Sequence, residues 1–485
     1  MAEKQAGPDA ISGEGGELQK VLGPWQLIAI GIGAIIGTGI FVITGTAAAT
    51  YAGPAVVLSF VIAGTGCVFA GLCYAELAAM IPVSGSAYTY AFAAFGQFAA
   101  WVIGWDLVLE YGVAASTVAV GWSGYFAGLM QNLGLPPLPA ELSSAPIVFK
   151  DGAFAWTGTI INLPAVAITV LLSAVLIVGI RASATTNGLM VLFKVGVVVL
   201  VILFGLPLIS SSNLVPFIPE NTGKFGEFGW TGILRASGVI FFAYIGFDAV
   251  SVAAQEARNP QRDMPIGILG SLAICTVLYL LMSLTMVGLT PYTTLNVANP
   301  VSVAISAAPQ LGWLGIWVNL GAIVGLSTVI LVSLYGQSRI FYSMARDGML
   351  PPLFAKIDPR FGTPANGTMV TCVGVALLAA FLPLDILGEL VSIGTLLAFV
   401  LVCIGVIVLR FTKPNARRPF VTPFSPFVPI LGIAFCGLMM FSLPAETIWR
   451  LVVWFGIGLL IYVFYSVRHV KQPRWTLDDG PPAKK

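Results

Sequence analysis

The stretch ASGVIFFAYIGFDAV (residues 236–250) decides how the chain folds, because a strongly apolar helical pattern is interrupted inside it. The pattern breaks off between Tyr244 and Asp248 and then resumes until a charged loop that reaches Pro265. A membrane helix satisfies its own backbone N–H and C=O groups, so a broken one in the apolar core needs protein, water or ligand to satisfy the groups it releases. The sequence therefore predicts a binding site at this break.

Long apolar runs dominate the rest of the chain, in place of the periodic stripes of a soluble helix. Of the 485 residues, 58% are hydrophobic and 9% are charged, which predicts an all-α polytopic membrane protein. Crossing ~30 Å of hydrocarbon takes roughly 20 apolar residues. Twelve such spans, which we number span 1 to span 12, can be placed at residues 24–50, 55–81, 96–131, 162–180, 186–211, 230–253, 265–289, 311–343, 366–384, 387–409, 425–443 and 447–467.

The basic residues indicate which loops face the cytoplasm. Most of the 23 Lys and Arg residues fall in the tails and on one side of the predicted spans, whereas Lys150, Lys224, Arg235 and Arg450 fall on the other. The positive-inside rule therefore predicts a multi-pass protein of the inner or plasma membrane with both tails, residues 1–20 and 468–485, in the cytoplasm. The lipid bilayer is the expected partner. We expect no nucleic-acid partner, and protein partners stay unknown.

The cysteines predict neither a disulfide framework nor a metal site. All six lie inside predicted spans and none forms a C-x-x-C pair, so they are typical of small core residues. We expect no metal and no cofactor.

Span 1 carries four glycines in the eleven residues G-I-G-A-I-I-G-T-G-I-F (31–41). One interpretation is close helix packing, because Gly33 and Gly37 form a G-x-x-x-G pair. The other is a second broken helix, unwound at Gly37-Thr38-Gly39, because neighbouring glycines lower the cost of non-helical backbone.

The positions of spans 1 and 6 favour the second interpretation. Each opens a group of five spans, residues 24–211 and 230–409, and spans 11 and 12 (425–467) follow. Because five is an odd number, the second group enters the membrane in the opposite orientation, which predicts a 5+5 inverted repeat. Interrupted helices at matching places in inverted repeats indicate the mid-membrane binding site of a transporter.

Opposite orientations of the two broken spans predict opposite charge preferences. Beyond its break, span 1 begins a fresh helix whose N–H groups attract an anion. These groups lie near Thr38, Gly39 and Ile40, with Ile35 just before the break. Span 6 ends a half-helix whose carbonyls attract a cation, namely those of Phe242, Ala243 and Ile245. Together they fit the α-carboxylate and α-ammonium of an amino acid.

Six runs of residues resemble one family. They are the glycine-rich run 31–41, P-V-S-G-S-A-Y-T-Y (82–90), G-W-D-L-V-L-E-Y-G (104–112), F-F-A-Y-I-G-F-D-A-V (241–250), R-N-P-Q-R-D-M-P-I-G-I (258–268) and Y-G-Q-S-R-I-F-Y-S-M-A-R-D-G (335–348). Jointly they are similar to the amino acid/polyamine/organocation permeases, and within them to the bacterial relatives of the cationic amino acid transporters. The resemblance covers about residues 20–467. It implies a leucine-transporter-type fold and alternating access, with spans 1, 2, 6 and 7 rocking against spans 3, 4, 8 and 9.

Charged residues inside predicted spans are site candidates, because each is costly in a membrane. Lys194 lies deep in span 5, where burial disfavours its charged form and makes proton loss feasible. The resemblance implies that this lysine stands where sodium-coupled relatives hold an ion between spans 1 and 8, beside Ser327 and Thr328. A lysine there argues against sodium coupling. The alternative is a fixed cation that braces the bundle by bonding to span 1 carbonyls.

Acidic residues in spans 2, 3 and 6 are further candidates. Asp106 and Glu110 are four residues apart on span 3 and share a face, so like-charge repulsion favours a shared proton there. The alternative is a polar brace. Asp248, just past the span 6 break, is expected either to meet the substrate ammonium or to hold the unwound segment. Glu76 in span 2 is expected to be buried, and nothing points it at a ligand.

Two predicted cytoplasmic segments carry mixed charges that would suit an inner gate. They contribute Glu256, Arg258, Arg262, Asp263, Arg339, Arg346 and Asp347. A solvated positive-inside loop explains the same charges.

In span 8, Ser333 is expected, from the resemblance, to face the side-chain end of the site and to leave room for a long cationic chain. The alternative is an ordinary packing serine.

The leading hypothesis is proton-coupled uptake of an L-amino acid, with arginine or lysine favoured. Small neutral amino acids, exchange of amino acids and uniport driven by the membrane potential stay open. A polyamine substrate would leave the span 1 amides without a carboxylate partner. A membrane-embedded enzyme is disfavoured because the one histidine, His469, lies in the C-terminal tail. A channel is disfavoured because no charge ring is evident.

Overall fold

Helices occupy all twelve predicted spans. This computed structural model describes residues 22–81, 86–150, 153–179, 184–248, 250 and 257–470. The helices of spans 1 to 5 are Pro24–Ile35 and Thr44–Ala47 (span 1), Val56–Met80, Gln97–Leu107 and Ala114–Asn132 (span 3), Leu163–Val178 and Ala184–Gly205. Those of spans 6 to 12 are Gly229–Ile240, Pro260–Leu289, Leu314–Arg346, Ala365–Phe381, Leu384–Thr412, Phe427–Ser442 and Ala445–Ile461. Short helices outside the spans are Ser86–Phe95, Pro300–Ser306 and Val467–His469.

The lengths of these helices support a multi-pass membrane protein. Within the part of the chain that the structure describes, 7 helices are long and apolar enough to cross a membrane, and four shorter apolar helices accompany them. The shorter ones include Leu163–Val178 and Ala365–Phe381. Twelve crossings and an inverted repeat stay predictions, because length and composition do not fix them. Of the predicted tails, residues 1–20 and 471–485 lie outside the described residues.

The segment 134–162, expected to be a plain loop, contains a small β-hairpin. Strands β1 (Ile147–Lys150) and β2 (Ala153–Trp156) pair antiparallel, with Ile147 opposite Trp156. The strands are rich in β-branched and aromatic residues, which favour extended backbone. The two residues between them in sequence, Asp151 and Gly152, are a pair that favours a tight hairpin turn. The all-α prediction is therefore wrong for this segment.

Spans 11 and 12 pack on the outside of the bundle. Span 11 contacts spans 2 and 10, and span 12 contacts spans 3 and 10. Much of span 12 faces outward, with Trp449 exposed by 69% and Phe464 by 69%. These two spans therefore lie at the periphery of the bundle.

A buried ion-pair cluster joins span 2 to the linker between spans 10 and 11. The Glu76 carboxylate is 1% exposed and lies 2.7 Å from Nη2 of Arg410 and 3.5 Å from Nε of Arg418. It also accepts the backbone N–H of Thr422 at 2.7 Å. The prediction that Glu76 is buried is thus confirmed, and its partners are structural.

We expect Glu76→Gln to lower the free energy of unfolding by about 3 kcal/mol, because removing the buried carboxylate leaves two partly buried arginines without compensation. Thermal unfolding of the purified protein in detergent measures the change. Glu446→Gln, at an exposed position that begins span 12, serves as the control and should leave the unfolding temperature unchanged. Equal stability of the Glu76→Gln variant and the wild type would contradict the prediction.

Candidate functional site

Span 1 is broken, as predicted, at mid-length. The first half-helix ends at Ile35, and Ile36 adopts an extended backbone with φ −73° and ψ 102°. Helical geometry returns at Thr38, and the first bond of the second half runs from the N–H of Phe41 to the carbonyl of Gly37 at 3.2 Å. The unwound residues are therefore Ile36 and Gly37, one position earlier than predicted, because Thr38 already belongs to the new helix.

The new helix start presents donors without acceptors. The N–H groups of Thr38, Gly39 and Ile40 donate to no other described residue, as expected for the first turn of a helix. The hydroxyl of Thr38 is buried and also lacks a partner among the described residues. These groups form the predicted anion-attracting end.

Span 6 is broken at the predicted place. Its helix Gly229–Ile240 tightens into a 3₁₀ turn at Phe241–Tyr244 and ends where Ile245 becomes extended, with ψ 137°. Gly246 follows with φ +114°, a backbone conformation that favours glycine. A Cβ there would lie 2.7 Å from the carbonyl carbon of Ala34, so contact with span 1 also requires glycine. Residues 249 and 251–256 lie outside the described residues.

The two breaks touch each other. A Cβ on Gly39 would lie 2.2 Å from the Cα of Ala243, so the start of one half-helix packs directly on the end of the other. The hydroxyl of Tyr279, in span 7, reaches the carbonyl of Ile35 at 2.8 Å and that of Ala243 at 2.7 Å. Phe242, Ala243 and Ile40 are buried beside this contact. The N–H donors of span 1 and the carbonyls of span 6 thus lie next to each other where the two breaks meet.

Sequence reasoning missed Tyr279. Its ring is fully buried and packs against Phe60 and Tyr244, with centroids 5.4 Å away in each case. A buried tyrosine hydroxyl needs a partner, but nothing in the sequence indicates which one.

We expect Tyr279→Phe to lower substrate uptake about tenfold, because the loss of one buried hydrogen bond at this contact is worth about 1.4 kcal/mol. Initial uptake rates in vesicles measure the change. Tyr244→Phe is the matched control, since that hydroxyl donates to Phe60 of span 2 at 3.1 Å and not to the breaks. An equal effect of the two substitutions would contradict the assignment.

Lys194 lies against the end of the first half-helix of span 1. Its Nζ donates to the carbonyls of Gly33 and Ile36, the latter at 2.8 Å, and its side chain is fully buried. Gly325 of span 8 leaves room for the stem, because a Cβ there would lie 3.2 Å from the lysine Cδ. The ammonium therefore occupies the space between spans 1 and 8. The partial negative charge at a helix C-terminus stabilises a cation there.

The two hydroxyls expected beside Lys194 are used within span 8. Ser327 donates to the carbonyl of Ile323 and accepts the indole N–H of Trp122, and Thr328 donates to the carbonyl of Gly325.

The two acidic residues of span 3 lie on either side of a junction between an α-helix and a π turn. Asp106 lies in the α-helix Gln97–Leu107, and Glu110 lies in the π-helical turn Val108–Val113. Both carboxyl groups are buried, and none of their four oxygens has a hydrogen-bond partner in the described part of the chain. An isolated buried carboxylate is strongly unfavourable, so these side chains need protons, water or a cationic group.

Asp248 is bonded within the span 6 break. One of its oxygens accepts the N–H of Gly246 at 3.2 Å, and the other accepts the hydroxyl of Tyr111 at 3.1 Å. This geometry matches the second of its two expected roles, which is to hold the unwound segment.

Ser333 lies one helical turn beyond the point where span 8 meets the span 1 break. Val329 marks that point, because its Cγ2 is 2.9 Å from where a Cβ on Gly37 would lie. Residues four apart share a helix face, so Ser333 points to the same side. Its side chain is 7% exposed.

The predicted inner-gate residues lie near the ends of spans 7 and 8 that are expected to face the cytoplasm. The backbone N–H of Arg258 donates to Leu22 at 2.8 Å, and Arg339 stacks on Tyr335 with its Cζ 4.8 Å from the ring centre. Arg262 makes no ion pair with another described residue. Glu256 lies outside the described residues, so the gate stays a prediction.

A hydrogen bond from a tyrosine hydroxyl links the short helix Ser86–Phe95 to the end of span 8. Tyr88 donates to Oδ2 of Asp347 at 2.7 Å. Burial raises the pKa of Asp347, and the bond from Tyr88 offsets part of this.

A cavity of about 860 Å³ lies at the outer end of span 3. The described residues that line it include no charged side chain; Ser123, Gln131, Asn162 and Asn299 supply polar groups among apolar ones. Between this cavity and the breaks, the loop before Pro300 packs tightly. A Cβ on Gly124 would lie 2.4 Å from the Cβ of Ala298, and one on Gly45 would lie 2.4 Å from Pro300.

Comparison with known proteins gives one family and several relatives. The family model described as amino acid permease matches residues 22–467. The methylthioribose transporter of Bacillus subtilis (strain 168) is 44% identical over 93% of this chain and 94% of its own. The branched-chain amino acid permease BcaP of the same organism is 44% identical over 96% and 98%. The vacuolar cationic amino acid transporter 4 of Arabidopsis thaliana is 39% identical over 82% and 64%.

Proposed function

The chain belongs to the amino acid permease family, and from this premise we propose that it imports L-amino acids by proton symport and alternating access. The observation that carries the proposal is the contact between the two broken helices, where the N–H groups that begin the second half of span 1 meet the carbonyl end of the first half of span 6. Both breaks lie inside apolar spans, where released backbone groups need a partner. A solute with an anionic and a cationic group on one carbon is such a partner.

The α-carboxylate would bind the N–H groups of Thr38, Gly39 and Ile40, with the Thr38 hydroxyl beside them. The α-ammonium would bind the carbonyls of Phe242, Ala243 and Ile245. A helix N-terminus favours an anion and a helix C-terminus favours a cation. Recognition of this kind leaves the choice of side chain to spans 3 and 8.

Lys194 is our candidate for proton coupling. It holds the end of the first half-helix through its ammonium, so loss of its proton would weaken that hold. Asp106, two residues before the π turn, is the second candidate, because a buried carboxyl without a partner among the described residues favours its protonated form. One proton moving through 100 mV supplies ~2.3 kcal/mol, which supports roughly fiftyfold accumulation.

For the substrate side chain, we propose an uncharged apolar group. The cavity at the outer end of span 3 is lined without charged residues, which favours passage of a neutral side chain. The branched-chain amino acid permease among the relatives supports the same choice. The methylthioribose transporter indicates that similar chains also carry other solutes.

A cationic side chain is the second candidate, as the sequence predicts for arginine or lysine. Glu110 favours it, because its buried carboxyl has no partner among the described residues and would pair with an ammonium or guanidinium group. Ser333, small and on the side of the break, leaves room for a long chain. For such a substrate, the membrane potential alone could drive uniport.

Uptake into proteoliposomes tests the proposal. Radiolabelled leucine, valine, alanine and arginine would be compared under separately imposed pH, sodium and voltage gradients. We expect leucine or valine to accumulate with an acid-outside gradient and independently of sodium. Accumulation with an acid-inside gradient would exclude proton symport, and efflux that requires external substrate would indicate exchange. Uptake of arginine alone would select the second candidate.

A further inference from the structure

Span 3 changes its helical register within the segment that carries its buried carboxyl groups. The π turn Val108–Val113 lies between the α-helices Gln97–Leu107 and Ala114–Asn132. A π turn inserts one residue into an α-helix, and each α-helical residue advances by about 100°. The turn therefore sets the direction in which Asp106 and Glu110 point, relative to the outer half of span 3.

Two tryptophans exchange hydrogen bonds where this turn begins. The indole N–H of Trp105, in span 3, donates to the carbonyl of Trp454, in span 12, at 2.9 Å. The indole N–H of Trp454 donates back to the carbonyl of Trp105 at 3.3 Å. Their rings are stacked, with centroids 4.6 Å apart and an interplanar angle of 18°. Span 12 thus forms hydrogen bonds with both a side-chain donor and a backbone acceptor of span 3, both of them on Trp105.

The carbonyl of Trp105 lies three residues before the π turn, which begins at Val108. Its regular α-helical partner would be the N–H of Leu109, which lies inside the π turn. In the structure, the N–H of Val108 approaches the carbonyls of both Trp105 and Asp106, so the bonding is already irregular here. The indole of Trp454 supplies this carbonyl with a donor from outside the helix, which stabilises the irregular geometry.

A neighbouring bond joins the same two spans without involving the Trp105 carbonyl, although the Trp101 ring stacks on that of Trp105 with centroids 5.9 Å apart. The indole N–H of Trp101 donates to the carbonyl of Gly458 at 3.2 Å, one helical turn before Trp105. Gly458 also allows the close approach, because a Cβ there would lie 2.5 Å from Cδ1 of Trp105. The chain therefore provides an internal comparison between general packing of spans 3 and 12 and support of the π turn.

We propose that Trp454 is a positioning residue that fixes the π turn of span 3, and through it the Glu110 carboxyl that faces the transported solute. The role of Glu110 rests on the second candidate of the proposed function, in which its carboxyl pairs with a cationic side chain. Span 12 is then more than an outer scaffold, because one of its side chains sets the geometry of the site without touching the substrate.

The test replaces the donor and keeps an aromatic ring. In Trp454→Phe, we expect the half-saturation constant for uptake to rise at least fivefold, with a smaller change in maximal rate and with unchanged expression. Hydrogen–deuterium exchange at residues 108–113 should become faster, because the turn loses its external donor. Trp105→Phe keeps the bond from Trp454 to the backbone carbonyl, so we expect a smaller effect on both measurements.

Two controls separate this role from general packing. Trp101→Phe removes a bond between spans 3 and 12 one turn away, and Trp449→Phe changes an exposed indole of span 12; both should stay within twofold of the wild type. An effect of Trp101→Phe equal to that of Trp454→Phe would overturn the proposal, as would unchanged exchange at residues 108–113 in Trp454→Phe. Failure of the wild type to transport any amino acid would overturn the proposed function, while the exchange measurement would still test the turn.

Discussion

Uptake is expected to fall at least a hundredfold when Lys194 is replaced by methionine. The ammonium donates to two carbonyls at the end of the first half-helix, and each hydrogen bond to a charged group is worth about 1.5–3 kcal/mol. Methionine fills a similar volume and makes neither bond, so the end of that half-helix loses its anchor. Initial rates in proteoliposomes under an acid-outside gradient measure the loss.

The control for this substitution is Lys224→Met, in the loop between spans 5 and 6, where the side chain is 77% exposed. We expect normal uptake in that variant. If Lys194→Met kept a normal rate but lost its response to the pH gradient, the lysine would couple protons without supporting the site. A normal rate with a normal response would contradict both roles.

Replacing Gly39 with alanine is expected to abolish uptake as well, for a steric reason. The added Cβ would lie 2.2 Å from the Cα and 2.3 Å from the Cβ of Ala243, distances that force the two breaks apart. Because a backbone atom is involved, rotation of a side chain cannot relieve the overlap. We expect uptake at least a hundredfold below that of the wild type.

Two comparisons make the Gly39 prediction specific. Gly196→Ala adds a methyl group in span 5 where nothing lies within 4 Å, and it should transport normally. The double variant Gly39→Ala with Ala243→Gly removes the methyl group at position 243, but the new methyl group still overlaps the backbone there, so we expect little recovery. Wild-type uptake by the Gly39→Ala variant would mean that the breaks separate freely.

The sequence was sufficient to locate both breaks, because their signals are local. Glycines at positions 37, 39 and 246 lie inside apolar runs. Because glycine lowers the cost of non-helical backbone, glycines at these positions indicate a break in the helix. The start of the new helix in span 1 differed by one residue, since helix termini are set by hydrogen bonds that composition does not reveal. A single lysine deep in an apolar span made Lys194 a site candidate, but its placement between spans 1 and 8 was implied by the family resemblance.

Other features depend on partners far away in sequence, and the sequence did not predict them. Glu76 meets Arg410 across 334 positions, and Tyr279 meets Ile35 across 244. The π turn of span 3 has no glycine or proline at its start; tertiary bonds from span 12 favour it. The hairpin Ile147–Trp156 was not predicted either, because two strands of four residues give a weak signal beside long apolar spans.

A phenol carries one hydrogen, yet the hydroxyl of Tyr279 lies within reach of two carbonyls on different half-helices. The hydrogen points to Ile35 or to Ala243 at any moment, so the two half-helix ends compete for a single donor. Whichever carbonyl is left over keeps its full affinity for an ammonium group. If the proposed function holds, a solute whose ammonium binds the Ala243 carbonyl would leave the hydrogen to Ile35, so that occupancy at span 6 would change the bonding of span 1 without movement of the tyrosine ring.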